Sequence, residues 1–322
     1  MLIIYSIIFL IACVILAKSG ALLVKSLKRL ALYFHLSEFT IAFILVGIAT
    51  SLPELFVGVT SALGKVSNLS LGNAIGSNIV DLTLIIGLTV VLTRGIRVRS
   101  SIAGKDTLYM SIIAILPFLF ILNGHLSRIE GGVLVGVFLL YLLRLLYRKK
   151  EFRQSIFSQI KGNSVEIKNR RKIFTNNLLF SILGLFLLIL SAWLIVKTSS
   201  ILALALNVPL VLIGLLVISI GTSLPELAFG IKAGFGGHKE MIIGNLFGSV
   251  IANSCLVLGV TSLIYPITLT NVNLFLITAF FMLISVMLFA TFIRSRKRLS
   301  SLEGILLIAI YVIFVIVTFM AR

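Results

Sequence analysis

A proline and a glutamate stand together inside an apolar stretch of this chain that is long enough to cross a lipid bilayer. The segment reads Gly-Ile-Ala-Thr-Ser-Leu-Pro-Glu, from Gly47 to Glu54. Proline removes one helical hydrogen bond, and an unpaired carboxylate is costly at membrane depth. The segment therefore predicts a helix that is kinked or unwound around residues 47–51. Such irregular backbone is tolerated where it lines a cavity, so we expect it to face a site.

The chain carries this segment twice. Ser-Ile-Gly-Thr-Ser-Leu-Pro-Glu ends at Glu226, 172 positions after Glu54. Two further matched segments, which begin at Gly72 and Gly244, keep the same offset without a gap. The repetition therefore covers a whole structural unit. It divides the chain into a first half, residues 1–147, a basic linker, residues 148–173, and a second half, residues 174–322.

The composition indicates a membrane protein. Hydrophobic residues make up 59% of the 322 positions and charged residues 12%, and the mean hydropathy is +1.19. Such a chain has too little polar surface to cover a soluble globule. Ten apolar runs have about the length that a membrane-spanning helix needs: 2–24, 39–63, 69–93, 107–124, 129–147, 174–196, 208–231, 241–264, 272–293 and 302–320.

Five of these runs fall in each half. The predicted fold is therefore an all-α polytopic membrane protein with ten transmembrane helices, arranged as two five-helix repeats. Because five is odd, the second repeat enters the membrane from the opposite side. Inverted repeats of this kind are typical of transporters, and their sites lie near the midplane between the two copies.

The formal net charge of +18 would suggest a nucleic-acid partner in a soluble protein. Here the basic residues lie in alternate loops, with the exception of Lys65, Arg128, Lys197 and Arg322. The positive-inside bias then predicts that the basic loops, including the linker, are cytoplasmic and that both termini are extracellular. We expect a multi-pass protein of the plasma membrane, surrounded by lipid, with no nucleic-acid partner and no obligatory protein partner.

Three acidic residues fall inside predicted spans and away from the span ends: Glu54, Asp81 and Glu226. No Lys or Arg is available at that depth, so we expect a bound cation to compensate their charge. Hydroxyl, carboxamide, carboxylate and carbonyl oxygens are hard ligands that suit Ca²⁺ and Na⁺. Cys13 and Cys255 stand alone, without metal or redox spacing. The sequence thus predicts transported ions rather than a cofactor or catalytic residues, and no enzyme.

The third predicted span presents a polar stripe, because Asn73, Ser77 and Asp81 recur every four residues. This stripe can meet Glu54. In the second half, Ser249 takes the place of Ser77, and Asn253 takes the place of Asp81. One acid is therefore replaced by an amide between the two copies.

Each of these features has a plain structural explanation when it is taken singly. A proline in a membrane helix can be only a kink, and the Thr50 and Ser51 hydroxyls, expected beside Glu54, can bond to the backbone of their own helix. The duplication of the whole set favours a functional role for Glu54 and Glu226. Asn73 and Asn245 fit either explanation, as do the glycines that precede them.

The two Thr-Ser-Leu-Pro-Glu segments, each followed by Gly-Asn-x-x-Gly-Ser, resemble the alpha repeats of the cation/calcium antiporter superfamily, and prokaryotic sodium/calcium exchangers in particular. The two motifs span residues 43–87 and 215–259. The resemblance implies alternating access, with Na⁺ moving in and Ca²⁺ moving out through a shared site. It implies Ca²⁺ ligation by the carboxylates of Glu54 and Glu226 and the carbonyls of Thr50 and Thr222. It further implies flanking Na⁺ positions at Ser51, Ser77, Ser223, Ser249 and the carbonyls of Gly47 and Ser219, with Asp81 and Asn253 completing the middle.

The sequence departs from that family pattern at one pair. Archaeal-type relatives carry the amide at the position of Asp81 and the acid at the position of Asn253, so the charge has changed halves here. A proton-coupled or K⁺-dependent Ca²⁺ exchanger is the nearest alternative function. An intramembrane aspartyl protease would need two facing aspartates, and Asp81 is the only aspartate in a predicted span. A passive channel is disfavoured, because an inverted repeat supplies one duplicated central site.

Overall fold

The computed structural model describes residues 2–33, 47–97, 102–147, 170–237, 239–296 and 298–321. Before residue 148 the helices are α1 Leu2–Tyr33, α2 Gly47–Thr50, α3 Leu52–Leu63, α4 Ser67–Val80, α5 Ile86–Leu92, α6 Thr107–Phe120 and α7 Arg128–Tyr147. After residue 169 they are α8 Arg170–Leu206, α9 Leu210–Ile213, α10 Ser219–Thr222, α11 Leu224–Phe235, α12 Lys239–Ile251, α13 Leu258–Ile264, α14 Val272–Arg296 and α15 Ser301–Met320.

Wider π-helical turns continue several of these helices. They lie at Asp81–Ile85 between α4 and α5, Ile102–Asp106 before α6, Gly214–Ile218 between α9 and α10, and Ala252–Val257 between α12 and α13. A short 3₁₀ turn, Ile121–Asn123, follows α6. Turns of the π type inside helices are frequent at functional sites. Asp81 opens the first of them, and Asn253 lies in the last.

Eight segments of the described ranges are long and apolar enough to cross a membrane: Ile3–Leu23, Ser67–Leu92, Gly104–Asn123, Phe174–Leu206, Leu210–Phe235, Met241–Ile264, Val272–Ser295 and Ser301–Met320. The predicted span at 39–63 begins outside the described residues and continues as α2 and α3. The predicted span at 129–147 forms α7, a helix of 20 residues that is not among the eight. The number ten therefore stays a prediction, as does the linker at 148–173, most of which lies outside the described residues.

Two of these segments form the centre of the helix assembly. Within the most apolar part of Ser67–Leu92, 78% of the residues are buried, and within that of Met241–Ile264, 83%. The corresponding value for Ser301–Met320 is 28%. The less buried helices expose many long apolar side chains, as expected for contact with lipid chains. The central segments carry the duplicated Gly-Asn-x-x-Gly-Ser motifs.

Each of the duplicated proline segments forms a broken helix. The helix is interrupted at Ser51, with φ −84° and ψ 3°, and at Ser223, with φ −86° and ψ 4°. The following proline occupies the second position of the next helix, where its missing N–H is tolerated. The interruption is limited to one residue, because the N–H of Ser223 still bonds to the Ser219 carbonyl at 3.1 Å. The two halves therefore share the same backbone break.

Glycines allow the central helix of the first half to cross the broken helix of the second half in close contact. A methyl group on Gly72 would lie 2.1 Å from the carbonyl oxygen of Val211. A methyl group on Gly76 would lie 2.4 Å from the carbonyl oxygen of Leu215. Gly214, on the other helix, has its own nearest contact with the backbone of α4. Gly72 and Gly76 of the third predicted span thus contact the second half directly.

Two short antiparallel strand pairs join helix ends that lie far apart in the chain. Strand β1, Ile96–Arg97, pairs with β4, Arg298–Leu299, and strand β2, His125–Leu126, pairs with β3, Ile267–Thr268. The first pair joins the basic ends that follow the third and ninth predicted spans. The second pair joins the loops after the fourth and eighth predicted spans. Each pair therefore connects loops that the charge pattern assigns to one side of the membrane.

Candidate cation-binding site

Three carboxylates lie buried at the centre of the molecule. Glu54 and Asp81 are fully buried, and Glu226 has 2% of its surface exposed. Each keeps one oxygen without a hydrogen-bond partner in the described part of the chain: Glu54 Oε2, Asp81 Oδ1 and Glu226 Oε2. A buried anion with an unpaired oxygen is costly unless a cation compensates it. The geometry therefore calls for a positive charge at this point.

The Ser249 hydroxyl connects two of these carboxylates. It lies 2.7 Å from Asp81 Oδ2 and 3.5 Å from Glu226 Oε1. The Ser51 hydroxyl in turn donates to Ser249 Oγ at 3.3 Å. Asp81 and Ser51 come from the first half, and Ser249 and Glu226 from the second. The two acids thus meet at one hydroxyl between the halves.

The Ser77 hydroxyl has the corresponding place on the other side of the site. It donates to Glu54 Oε1 at 3.4 Å, and it lies 3.2 Å from the Thr222 hydroxyl. The polar stripe of the third predicted span therefore does meet Glu54, through Ser77. The contact from Ser77 to Glu54 is repeated in the second half by the contact from Ser249 to Glu226.

The two threonines of the duplicated segment reach across to the opposite half. Thr50 Oγ1 donates to Asn245 Oδ1 at 3.2 Å, and Thr222 Oγ1 donates to Asn73 Oδ1 at 3.2 Å. Thr222 also lies close to the Glu54 carboxylate, and Thr50 lies close to that of Glu226. The sequence predicts the Thr50 hydroxyl beside Glu54 of its own segment, but does not predict these crossed contacts. The break at Ser51 changes the direction of the helix between Thr50 and Glu54, so spacing on one straight helix does not describe this pair.

Asn253 differs from its counterpart Asp81. It is fully buried, and neither atom of its carboxamide has a hydrogen-bond partner among the described residues. Asp81, by contrast, accepts a hydrogen bond from Ser249. The repeat would predict a hydrogen bond from Ser77 to Asn253, equivalent to the bond from Ser249 to Asp81. The Ser77 hydroxyl instead donates to Glu54. The exchange of acid and amide therefore makes the site asymmetric.

The remaining predicted residues lie around this centre. Ser219 and Ser223 are fully buried. The Ser219 carbonyl accepts bonds from the Ser223 N–H at 3.1 Å and the Thr222 hydroxyl at 3.2 Å. Gly47 is the first residue of α2. Hydrogen bonds thus join most of the predicted site residues in one region, and Asn73 and Asn245 contact this region through the two threonines. The exact duplication of the two asparagines at one offset was the signal for them.

The ligand set at this centre is mixed. In the described part of the chain, no group of three His, Cys, Asp or Glu side chains is placed so that it could hold a metal ion by itself. The Ser249 hydroxyl lies between two of the carboxylates, and the Ser77 hydroxyl contacts the third. A cation here would have to be bound by carboxylate oxygens together with hydroxyl or carbonyl oxygens. These are the hard ligands that Na⁺ and Ca²⁺ prefer.

Comparison with known proteins gives one consistent family. A family model described as sodium/calcium exchanger protein matches residues 4–147 and again residues 176–320. The sodium/calcium exchanger MaX1 of Methanosarcina acetivorans is 28% identical, with 97% of each chain covered. The inner membrane protein YrbG of Escherichia coli is 32% identical, covering 72% of this chain and 71% of YrbG. Solved structures of the sodium-calcium exchanger NCX_Mj superpose with a TM-score of 0.64 at 28% identity, covering 97% of this chain and 98% of theirs.

Proposed function

Because this multi-pass membrane protein belongs to the sodium/calcium exchanger family, we propose that it is a secondary antiporter that exchanges Na⁺ for Ca²⁺ across the membrane. The observation that carries the proposal is the set of three buried carboxylates, each with an oxygen that has no partner in the described residues. A site of this kind is stable when a cation occupies it. Two of its relatives, MaX1 and NCX_Mj, are named as sodium/calcium exchangers.

In this proposal Glu54 and Glu226 bind Ca²⁺ together with the carbonyls of Thr50 and Thr222. Flanking Na⁺ ions use the remaining oxygens: Ser51, Ser77, Ser223, Ser249, and the carbonyls of Gly47 and Ser219. Asp81 and Asn253 complete the centre. The burial of the side chains in this set supports the assignment. So does the placement of Ser77 and Ser249 against the glutamates of their own halves.

Transport by alternating access requires that the site open to each side in turn. We propose two inverted five-helix repeats, residues 1–147 and 174–322, joined by the cytoplasmic linker 148–173. The twofold match of the family model supports the repeat, as do the equal backbone angles at Ser51 and Ser223. The two strand pairs support the proposed topology, because each pair joins two loops that the proposal places on the same side of the membrane. Both termini are then extracellular and the protein resides in the plasma membrane.

Proton-coupled Ca²⁺ exchange is the second candidate. The observation in its favour is that Asp81 and Glu226 approach the same hydroxyl of Ser249. Like charges at such a distance repel each other, so a proton could replace a Na⁺ ion on one of them. A K⁺-dependent exchanger uses the same ligand chemistry. The nature of the driving ion therefore has to be measured.

The test is Ca²⁺ uptake into proteoliposomes that contain the purified protein and an imposed ion gradient. Vesicles loaded with Na⁺ are compared with K⁺-loaded vesicles, with vesicles that hold a proton gradient, and with Glu54→Gln vesicles loaded with Na⁺. We expect uptake that depends on internal Na⁺ and that the variant abolishes. Uptake driven by the proton gradient alone would replace the proposal by the second candidate. Equal uptake under every gradient would indicate a passive channel.

A further inference from the structure

We propose that Asn73 and Asn245 are positioning residues of the ion site. Each accepts a hydrogen bond from the threonine hydroxyl of the opposite half and so directs that hydrogen away from the ion-binding oxygens. This inference rests on the proposed function and deepens it. The two asparagines do not themselves have to touch the ion. They determine which oxygens of Thr222 and Thr50, and of the neighbouring carboxylates, are available to it.

The two contacts are related by the repeat. Asn245 follows Asn73, and Thr222 follows Thr50, by the same 172 positions. Both hydrogen bonds measure 3.2 Å and run from the threonine of one half to the asparagine of the other. Asn73 is fully buried, and Asn245 has 4% of its surface exposed. A contact that occurs in both halves with the same partners and length serves the duplicated site.

The amide of Asn73 forms a hydrogen bond through its oxygen and none through its nitrogen in the described part of the chain. Its amide nitrogen is buried and has no hydrogen-bond partner among the described residues. A buried amide group with an unused donor is unfavourable and calls for an explanation. Asn73 Oδ1 does have a partner, the Thr222 hydroxyl. We therefore infer that the role of Asn73 is to accept the hydrogen bond from that hydroxyl.

The chemical reason lies in the single proton of each threonine hydroxyl. Thr222 Oγ1 lies 3.2 Å from Asn73 Oδ1, from the Ser219 carbonyl and from Ser77 Oγ. It also lies close to the Glu54 carboxylate, to which Ser77 donates. The carboxylate of Glu54 and the carbonyl of Ser219 are proposed ion ligands. A proton donated to either would compete with the cation for that oxygen. Donation to Asn73 leaves both ligands free for the ion.

Thr50 has the same choice in the other half, between Asn245 and Glu226. When the cation leaves, each threonine can turn its proton to the glutamate and stabilise the empty carboxylate. When the cation binds, the threonine hydroxyl donates its hydrogen bond to the asparagine instead. The asparagines thus lower the cost of moving between the occupied and the empty site.

Another buried asparagine on the same helix provides the comparison. Asn78 Nδ2 donates to Ser254 Oγ at 2.8 Å, also across the two halves. The repeat does not preserve this bond, because Val250 stands at the position of Asn78 and Leu82 at that of Ser254. Asn78 is therefore a matched control: it has similar burial and a similar bond, but no threonine of the site as its partner.

The experiment measures Ca²⁺ binding to the purified full-length protein by titration in Na⁺-free buffer, with thermal unfolding of the ion-free protein as the second readout. The variants are Asn73→Ala, Asn245→Ala, Thr222→Val, the double variant Asn73→Ala/Thr222→Val, and Asn78→Ala. Loss of the acceptor should weaken Ca²⁺ binding about tenfold in each of the first two. Asn78→Ala should leave Ca²⁺ binding unchanged even where it lowers the unfolding temperature.

The double variant tests whether Asn73 acts through Thr222. We expect Asn73→Ala to add little to Thr222→Val, because the valine variant already lacks the hydroxyl that donates to Asn73. Unchanged Ca²⁺ binding in both asparagine variants would overturn the inference, and so would losses that multiply in the double variant. Asn245→Ala, with Thr50→Val, decides the question if Asn73→Ala does not fold. A parent protein that binds no Ca²⁺ would overturn the proposed function, whereas a binding parent with unaffected asparagine variants would overturn only this inference.

Discussion

Ser249 and Asp81, which come from different halves of the chain, are joined by a hydrogen bond of 2.7 Å that runs from the serine hydroxyl to the carboxylate. The equivalent bond, from Ser77 to Asn253, is absent from the described contacts, and both amide atoms of Asn253 lack a partner there. We infer that the position of the negative charge determines which serine, Ser249 or Ser77, donates a hydrogen bond to the central pair. If the acid is moved from position 81 to position 253, Ser77 should become the donor.

Asp81→Asn should therefore weaken Na⁺-dependent Ca²⁺ flux strongly, because the centre loses one of its three carboxylates. Adding Asn253→Asp should recover much of the flux, since the repeat brings the new carboxylate within reach of Ser77. The measurement is Ca²⁺ flux against membrane potential in the parent and the two variants. A double variant no better than the single one would show that the acid is tied to the first half.

Glu54→Gln and Glu226→Gln should each abolish exchange and leave the protein folded. Each change removes a charge from a buried site but keeps the shape of the side chain. Glu303→Gln is the control, because Glu303 caps the start of α15 by bonding to Ser300. We expect normal flux in that variant. Near-parental flux in either site variant, with the protein in the membrane, would contradict the assignment of these carboxylates.

Ser249→Ala should raise the Na⁺ concentration needed for half-maximal Ca²⁺ flux about fivefold to tenfold. The change removes a proposed Na⁺ ligand and the hydroxyl that separates Asp81 from Glu226. Ser254→Ala serves as the comparison, because Ser254 is equally buried but bonds to Asn78. The assignment of Ser249 fails if the two variants show the same Na⁺ dependence.

Gly72→Ala should destabilise the protein by about 1–3 kcal/mol and impair exchange, because the new methyl group would meet the Val211 carbonyl. The two helices would have to separate at the centre of the molecule. Gly136→Ala is the matched control: Gly136 lies in α7, and a methyl group there would have no atom within 4 Å. Thermal unfolding in detergent compares the two. Equal unfolding temperatures for both variants would show that the close crossing is not required.

The proposed orientation predicts which side of the membrane each loop occupies. In a background with Cys13 and Cys255 replaced by alanine, Lys65→Cys should react with an impermeant thiol reagent added outside the cell. Lys232→Cys should react only after the membrane is opened. Both lysines lie at the ends of broken helices, on opposite sides in the proposal. Reaction of Lys232→Cys from outside would reverse the orientation that the positive-inside bias predicts.

Much of the site could be predicted from the sequence. The duplication distinguishes residues with a functional role from residues that only pack. The break in the helix follows from the proline, and the contact of Ser77 with Glu54 follows from helical spacing together with the need of a buried acid for partners. The gathering of Asp81 with the two glutamates follows from the same need. These are properties that neighbouring residues on one or two helices determine.

The crossed bonds could not be predicted in this way. Periodicity tells which residues share one face of a helix, but it does not tell which face of a second helix lies opposite. Thr222 meets Asn73 only because glycines let α4 and the broken helix cross closely. The unpartnered amide of Asn253 likewise depends on where Ser77 turns. The number of spans also stays open, since the second predicted span begins outside the described residues.

The reciprocity of the bonds between threonine and asparagine has a consequence for how such a chain could arise. Each half carries one donor and one acceptor, so two identical five-helix units inserted in opposite orientations would satisfy both bonds as a homodimer. Two identical units could not supply one aspartate and one asparagine at the centre, because they would carry either two acids or two amides. The pair Asp81 and Asn253 is therefore the part of the site that requires two different halves, which one polypeptide with two diverged repeats provides.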